Sequence, residues 1–278
     1  MKSYIEVCCD LCGSEERTPL FVKEGFVHAR CKNCGLVYVN PRLSDHLSGQ
    51  THSGTAEMGD EFLTKSQTKR LQDELKRLEQ FRKLNRILEI GPGKGWFLEQ
   101  ANKLGWETWA VEVNAKALAR LKAIGIHRII NDEKSLNRIL EESFDVVRIW
   151  DVLEHLESPK KTLAMSFKAL RKAGIIRIST TNFASLSRIV NGPNWVYLNG
   201  ADHIVLFEPK TIDRMFREVG FSRIRVRTRS FNLRKKLYHP PKDLTKIPIL
   251  IKPFRKLIDE AIQLTKYGHQ MIVEATKY

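Results

Sequence analysis

Arg86-Ile-Leu-Glu89-Ile-Gly91-Pro-Gly93-Lys-Gly95-Trp-Phe-Leu98 passes from an apolar strand through a glycine turn into the start of a helix. Gly91 and Gly93 permit a tight turn and let a ligand approach the backbone. The opening helix presents N–H groups that have no partner within the helix. The glycines are spaced G-x-G-x-G, whereas the dinucleotide fingerprint is G-x-G-x-x-G. An acidic residue, Glu89, precedes the first glycine. Glu112 closes the second expected strand about 20 residues on, where a carboxylate can accept hydrogen bonds from two ribose hydroxyls.

Outward from this loop the pattern alternates. Strands are expected over 86–90, 108–113, 128–130, 144–150 and 175–180, and helices over 96–104, 115–124, 159–171 and 211–219. Gly125, Gly174 and Gly220 stand where helices should stop. Strand–helix alternation with short connections makes a parallel sheet covered on both faces. Two last strands, 222–228 and 270–275, flank a basic insert at about 231–268 that holds Pro240, Pro241, Pro248 and Pro253. Ahead of the loop, Leu71, Leu75, Leu78 and Phe81 recur at helical spacing, so residues 44–85 are expected to be a polar linker followed by an amphipathic helix.

Several segments in order resemble the motifs of class I S-adenosylmethionine-dependent methyltransferases. Glu89-Ile-Gly91-Pro-Gly93-Lys-Gly95 is similar to their first motif, and Phe144-Asp-Val-Val-Arg-Ile-Trp150-Asp151-Val-Leu-Glu154-His155 to their fourth-strand motif. Leu170-Arg-Lys-Ala-Gly174 resembles their Leu-x-Pro-Gly-Gly turn, with the proline and one glycine replaced. The Asn182 segment, His203 with Phe207, and Val219-Gly220-Phe221 continue the order. The resemblance covers residues 86–230 and the last strand. It implies an α/β, Rossmann-like, doubly wound, mostly parallel seven-stranded sheet with an antiparallel last strand, in a domain over 86–278.

The resemblance also implies roles. Gly91, Gly93 and Gly95 would pass under the amino-acid part of S-adenosylmethionine, Glu89 would order the loop and meet the amino group, and Glu112 would hold the ribose. Asp132 is expected at the adenine, with Asn131 and Glu133 as rivals. Trp150 and Asp151 would lie by the sulfonium. For a hydroxyl acceptor a base is needed, and His203 and then His155 are the candidates, because imidazole titrates near neutrality. Trp195 and Tyr197 either wall the acceptor pocket or belong to the core.

All five cysteines lie in the first 34 residues. Cys9-Asp-Leu-Cys12 and Cys31-Lys-Asn-Cys34 are two C-x2-C knuckles with eighteen residues between them, the spacing of a ribbon that closes a tetrahedral four-thiolate zinc site. A small zinc ribbon over residues 1–43 is therefore expected, with a structural and not a catalytic Zn2+. Two disulfides, an iron–sulfur cluster or an unmetallated ribbon are the alternatives, and Cys8 is a spare rival to Cys9. The resemblance extends to methyltransferases that carry such a segment and modify sugars or other natural-product precursors.

The whole chain has 278 residues, is 42% hydrophobic and 28% charged, and carries a net charge of +15. No apolar run reaches the ~18 residues of a membrane span, and no secretory signal is evident, so a cytoplasmic protein is expected. Residues 221–278 hold 14 Lys and Arg against four Asp and Glu, ten of the fifteen net positive charges. Such an excess suits an anionic small-molecule acceptor, nucleic acid or an anionic membrane surface. The small molecule is the favoured partner, because Asp151-Val-Leu-Glu154 stands where many base methyltransferases carry an Asn-Pro-Pro-Tyr-type loop. A non-catalytic zinc- and cofactor-binding interaction protein is the remaining alternative.

Overall fold

A computed structural model of the chain describes residues 3–44, 62–131, 141–229 and 265–278. The expected linker and basic insert lie almost wholly outside the described residues, as does Asp132. No described helix is long and apolar enough to cross a membrane.

The cysteine segment folds into five short strands: β1 (Tyr4–Ile5), β2 (Arg17–Lys23), β3 (Phe26–Cys31), β4 (Val37–Val39) and β5 (Arg42–Leu43). Glu24 and Gly25, both with positive φ, make the two-residue turn that joins β2 to β3. Helix α1 (Lys65–Leu78) starts at a capping box, in which Thr64 accepts the Gln67 N–H and the Gln67 side chain accepts the Thr64 N–H. Its Leu75 and Leu78 are buried, as their spacing predicts.

The alternating part follows as β6 (Arg86–Ile90), α2 (Trp96–Lys103), β7 (Glu107–Val111), α3 (Ala115–Ala123), β8 (Arg128–Ile130), β9 (Phe144–Trp150), α4 (Pro159–Ala169), β10 (Leu170–Thr181), α5 (Leu186–Asn191), β11 (Val205–Leu206), α6 (Pro209–Val219), β12 (Ser222–Arg229) and β13 (Gln270–Thr276). Seven strands form one sheet in the order β12-β13-β10-β9-β6-β7-β8. β13 runs antiparallel to both neighbours, and the other pairs are parallel. Successive strand residues point to opposite faces, so two cores result. Ile87, Ala110, Val146 and Ile175 pack on one side with Leu75, Phe97 and Leu121 of the helices. Leu88, Val147, Ile149 and Ile176 pack on the other with Leu163, Met215 and residues of the ribbon.

Three details differ from expectation. The fourth helix of the alternation stops at Ala169 instead of Arg171, because Leu170 already pairs with Phe144 of β9. Gly174 sits inside β10, at a bulge between Leu170 and Ile175, and is no helix stop. A Cβ there would stand 2.9 Å from the Arg171 carbonyl oxygen, which is the physical need for glycine. The second strand ends at Val111, one residue before Glu112.

The ribbon is continuous with the larger sheet's surroundings. β4 pairs with β11, giving a four-stranded sheet in the order β11-β4-β3-β2. Asp10 accepts hydrogen bonds from the Ser158 hydroxyl (2.6 Å) and the Lys160 N–H (2.8 Å), so a ribbon carboxylate caps the N-terminus of α4. The buried Arg42 donates to the Glu157 carbonyl.

Candidate active site

The carboxyl ends of β6, β7 and β9 open on a cavity of about 990 Å³, the place where parallel α/β sheets bind ligands. Glu89, Gly91, Gly93, Glu112, Trp150, Asp151 and His155 line it, together with α1. Gly95 and His203 do not line it, and Asn131 does.

The three loop glycines all have positive φ, for different reasons. A Cβ on Gly91 would lie 2.6 Å from Val152 Cγ2, and one on Gly95 would lie 2.5 Å from Leu121 Cδ2. Those two glycines serve packing. Gly93 has open space before it and is the point where a ligand can touch backbone. Glu112 holds the loop in place, because its carboxylate accepts the N–H groups of Gly93 (3.1 Å), Val113 (2.9 Å) and Asn114 (2.9 Å).

Glu89 is buried and belongs to a charged row across the sheet. Glu89, Arg148, Arg177 and Glu274 are register neighbours on β6, β9, β10 and β13. Glu74 of α1 drops onto this row, 3.0 Å from Arg148 Nε and 3.6 Å from Arg177 Nε. Arg148 also donates to Glu89 Oε1 and lies over the rings of Trp150 and Phe97. Burial pushes the Glu89 pKa up, and Arg148 opposes the shift. Glu89 Oε2 is buried with no partner among the described residues. An ammonium donor in the cavity would satisfy it, so the residues present fit S-adenosylmethionine.

Asp151 has φ 53 and accepts from the Ser179 hydroxyl (2.6 Å) and Gln270 Nε2 (3.1 Å). Beyond it, Glu154 is buried and accepts from the Thr180 hydroxyl at 2.8 Å. Burial lifts the Glu154 pKa to about 7, against the attraction of His155. His155 Nδ1 lies 3.0 Å from Asp202 Oδ1. Burial alone would lower the His155 pKa, but Asp202 and Glu154 raise it to about 9. The His203 ring meets His155 edge-on at 4.6 Å, and Tyr197 stacks on His203 at 5.6 Å. Of the two histidines, His155 faces the cavity, while His203 stands against it. Trp195 is 2% exposed and packs in a small core with Phe183, Leu198 and Leu206, so it is no pocket wall.

Sequence reasoning passed over Glu74, Arg148 and Arg177. Arg148 carried a signal, as a lone charge inside the apolar run Phe144–Trp150. Glu74 carried none, since it is one polar residue among many on α1.

The four knuckle cysteines converge at a second site. Cys9 Sγ is 3.4 Å from Cys34 Sγ, Cys12 Sγ is 3.5 Å from Cys31 Sγ, and all four lie within 4.8 Å of one another. A tetrahedral ion with Zn–S of about 2.3 Å needs sulfurs roughly 3.8 Å apart, so the cluster fits zinc. Gly13 and Gly35 take positive φ and donate to the Cys9 and Cys31 carbonyls, closing the knuckles. Cys8 is exposed and outside the cluster.

The sequence model of the methyltransferase domain matches residues 63–226. The chain belongs to this methyltransferase family. Family membership accords with the motifs of the glycine loop and of β9. A curated relative, a ubiquinone biosynthesis O-methyltransferase of Idiomarina loihiensis, is 30% identical over 132 residues, which are 45% of this chain and 51% of that protein. Another of the same name, from Aromatoleum aromaticum, is 25% identical over 167 residues, 55% of this chain and 70% of that protein. The chain thus spans about half the length of the former relative. Among solved structures, a SAM-dependent methyltransferase of Archaeoglobus fulgidus is similar with a TM-score of 0.54 at 20% identity, over 76% of this chain and 94% of that one. Phosphoethanolamine N-methyltransferase 2 of Haemonchus contortus, solved with S-adenosyl-L-methionine, has a TM-score of 0.51 at 18% identity, over 84% of this chain and 57% of that one. These likenesses show the methyltransferase fold.

Proposed function

We propose that the protein transfers a methyl group from S-adenosylmethionine to a hydroxyl of a small molecule. The observation that carries this reading is the lone Glu89 Oε2, buried beside a glycine loop that Glu112 holds open. The bound cofactor supplies an activated methyl on a positive sulfonium. Glu89 accepts its ammonium, Gly93 passes beneath its amino-acid part, and Glu112 keeps lone pairs for the ribose hydroxyls. The family match and the two relatives named for O-methylation support a hydroxyl acceptor.

His155 serves as the base, with Asp202 fixing the ring through Nδ1 so that Nε2 is left to take the acceptor proton. His203 packs against that ring and limits its rotation. Trp150 and Asp151 shape the place between cofactor and acceptor. The four-cysteine cluster holds a structural zinc, with every coordination position filled by sulfur.

Zinc-loaded protein incubated with methyl-labelled cofactor and a metabolite extract should yield a labelled small molecule. S-adenosylhomocysteine should bind in calorimetry, and Glu89→Ala should weaken it at least about tenfold. Label found only in nucleic acid or protein, or no binding of S-adenosylhomocysteine, would overturn the reading.

A further inference from the structure

The charges lining the cavity are unequally partnered. Glu74 and Glu89 share Arg148. Asp151 is held by Ser179 and Gln270, Asp202 faces His155, and Glu112 takes three backbone N–H groups. Three arginines stand differently. Arg229 donates to the neutral Gln270 side chain at 2.9 Å, its one hydrogen bond among the described residues. The side chains of Arg70 and Arg77 also line the cavity and are exposed. They make no hydrogen bond or ion pair among the described residues. The exposed Asp73 on the same helix offsets one of these charges.

The placement is specific. Arg70, Glu74 and Arg77 recur at helical spacing on the face of α1 that meets the cavity. Arg229 ends β12, opposite Gln270 of β13, and its guanidinium lies 5.5 Å from the Trp150 ring centroid. In the sheet order β12 is four strand steps from β6, roughly 19 Å at the usual strand spacing. The strand that carries Arg229 therefore lies on the side of the sheet away from the glycine loop. Burial lowers the Arg229 pKa, and Arg177 and Arg70 add to that by repulsion. A doubly charged oxyanion held by guanidinium forks would relieve this crowding.

We propose that Arg229, with Arg70 and Arg77 at the mouth, binds a phosphate or carboxylate group carried by the acceptor. This rests on the methyl-transfer reading of the same cavity. The acceptor is then anionic, and its charged end is anchored at β12 and α1 while its reacting atom reaches Trp150.

The test uses the full zinc-loaded chain saturated with S-adenosylhomocysteine. Inorganic pyrophosphate and malonate are titrated separately by calorimetry, one standing for phosphate and the other for carboxylate. At least one should bind. Arg229→Gln should weaken that binding about tenfold, and Arg70→Gln with Arg77→Gln about three- to tenfold, as expected for lost charge-assisted bonds. Arg229→Lys, which keeps the charge and loses the fork, should fall between. S-adenosylhomocysteine affinity should stay within about twofold in all of them. Bound S-adenosylhomocysteine with neither anion binding overturns this proposal alone. Variants that lose S-adenosylhomocysteine instead of the anion also overturn it, because the guanidiniums would then serve the cofactor's own carboxylate. Failure of the wild type to bind S-adenosylhomocysteine overturns the methyl-transfer reading itself.

Discussion

Asp202 sets the protonation of His155, and this gives the site a pH signature. A base must be neutral, and His155 is held near 9 by Asp202 and Glu154 against the effect of burial. The rate should therefore climb with pH and level off above about 9. Asp202→Asn should move that limb to lower pH and cut the plateau roughly ten- to a hundredfold, measured as kcat/KM against pH. The same raised pKa stabilises the fold fully below about 6.5 and less as pH rises through about 9. In Asp202→Asn, denaturant midpoints should lose most of that pH dependence. Gly91 is a second residue whose change is decisive. Alanine there would sit 2.6 Å from Val152 Cγ2 with φ at 66. It should cost roughly 1–2 kcal/mol in backbone strain alone. It should also weaken S-adenosylhomocysteine binding, which titration of the purified variant would detect.

At the scale of elements, α1 is the wall of the cavity that the domain's own alternation does not provide. Its apolar stripe docks Leu75 and Leu78 against α2, while Glu74 settles on Arg148 and Arg177. Leu75→Ala should destabilise the protein by roughly 2–5 kcal/mol in urea denaturation, because Leu75 is fully buried in that core. The helix itself was legible from its 3.6-residue stripe, and its start from Thr64 and Gln67. Its contribution to the site was not, because nothing in a single polar residue tells which charged partner it will meet. The row Glu89–Arg148–Arg177–Glu274 depends on the register of four strands, and register is fixed by the whole sheet.

On the scale of the molecule, the ribbon and the large sheet are one unit. β4 pairs with β11, Asp10 caps α4, and β11 follows the segment that carries Asp202 and His203. Chelating the zinc should therefore do more than unfold residues 1–43. Hydrogen exchange at the Val205 and Leu206 amides should rise, and methyl-transfer activity should fall with it. Unchanged exchange at those amides after complete zinc removal would show that the ribbon does not brace the site.

The sequence by itself determined the sheet, the glycine loop and the four converging cysteines. Each of these is written in local signals: alternation of apolar runs, glycines where φ must be positive, and thiols at knuckle spacing. Tertiary structure alone decided that Gly174 serves a bulge, that His155 and not His203 meets the cavity, and that Glu74, Arg148 and Arg229 belong to the site. These facts depend on which strands become neighbours and which side chains then share a face. Such contacts join residues far apart in the chain, and no local pattern of residues encodes the partner.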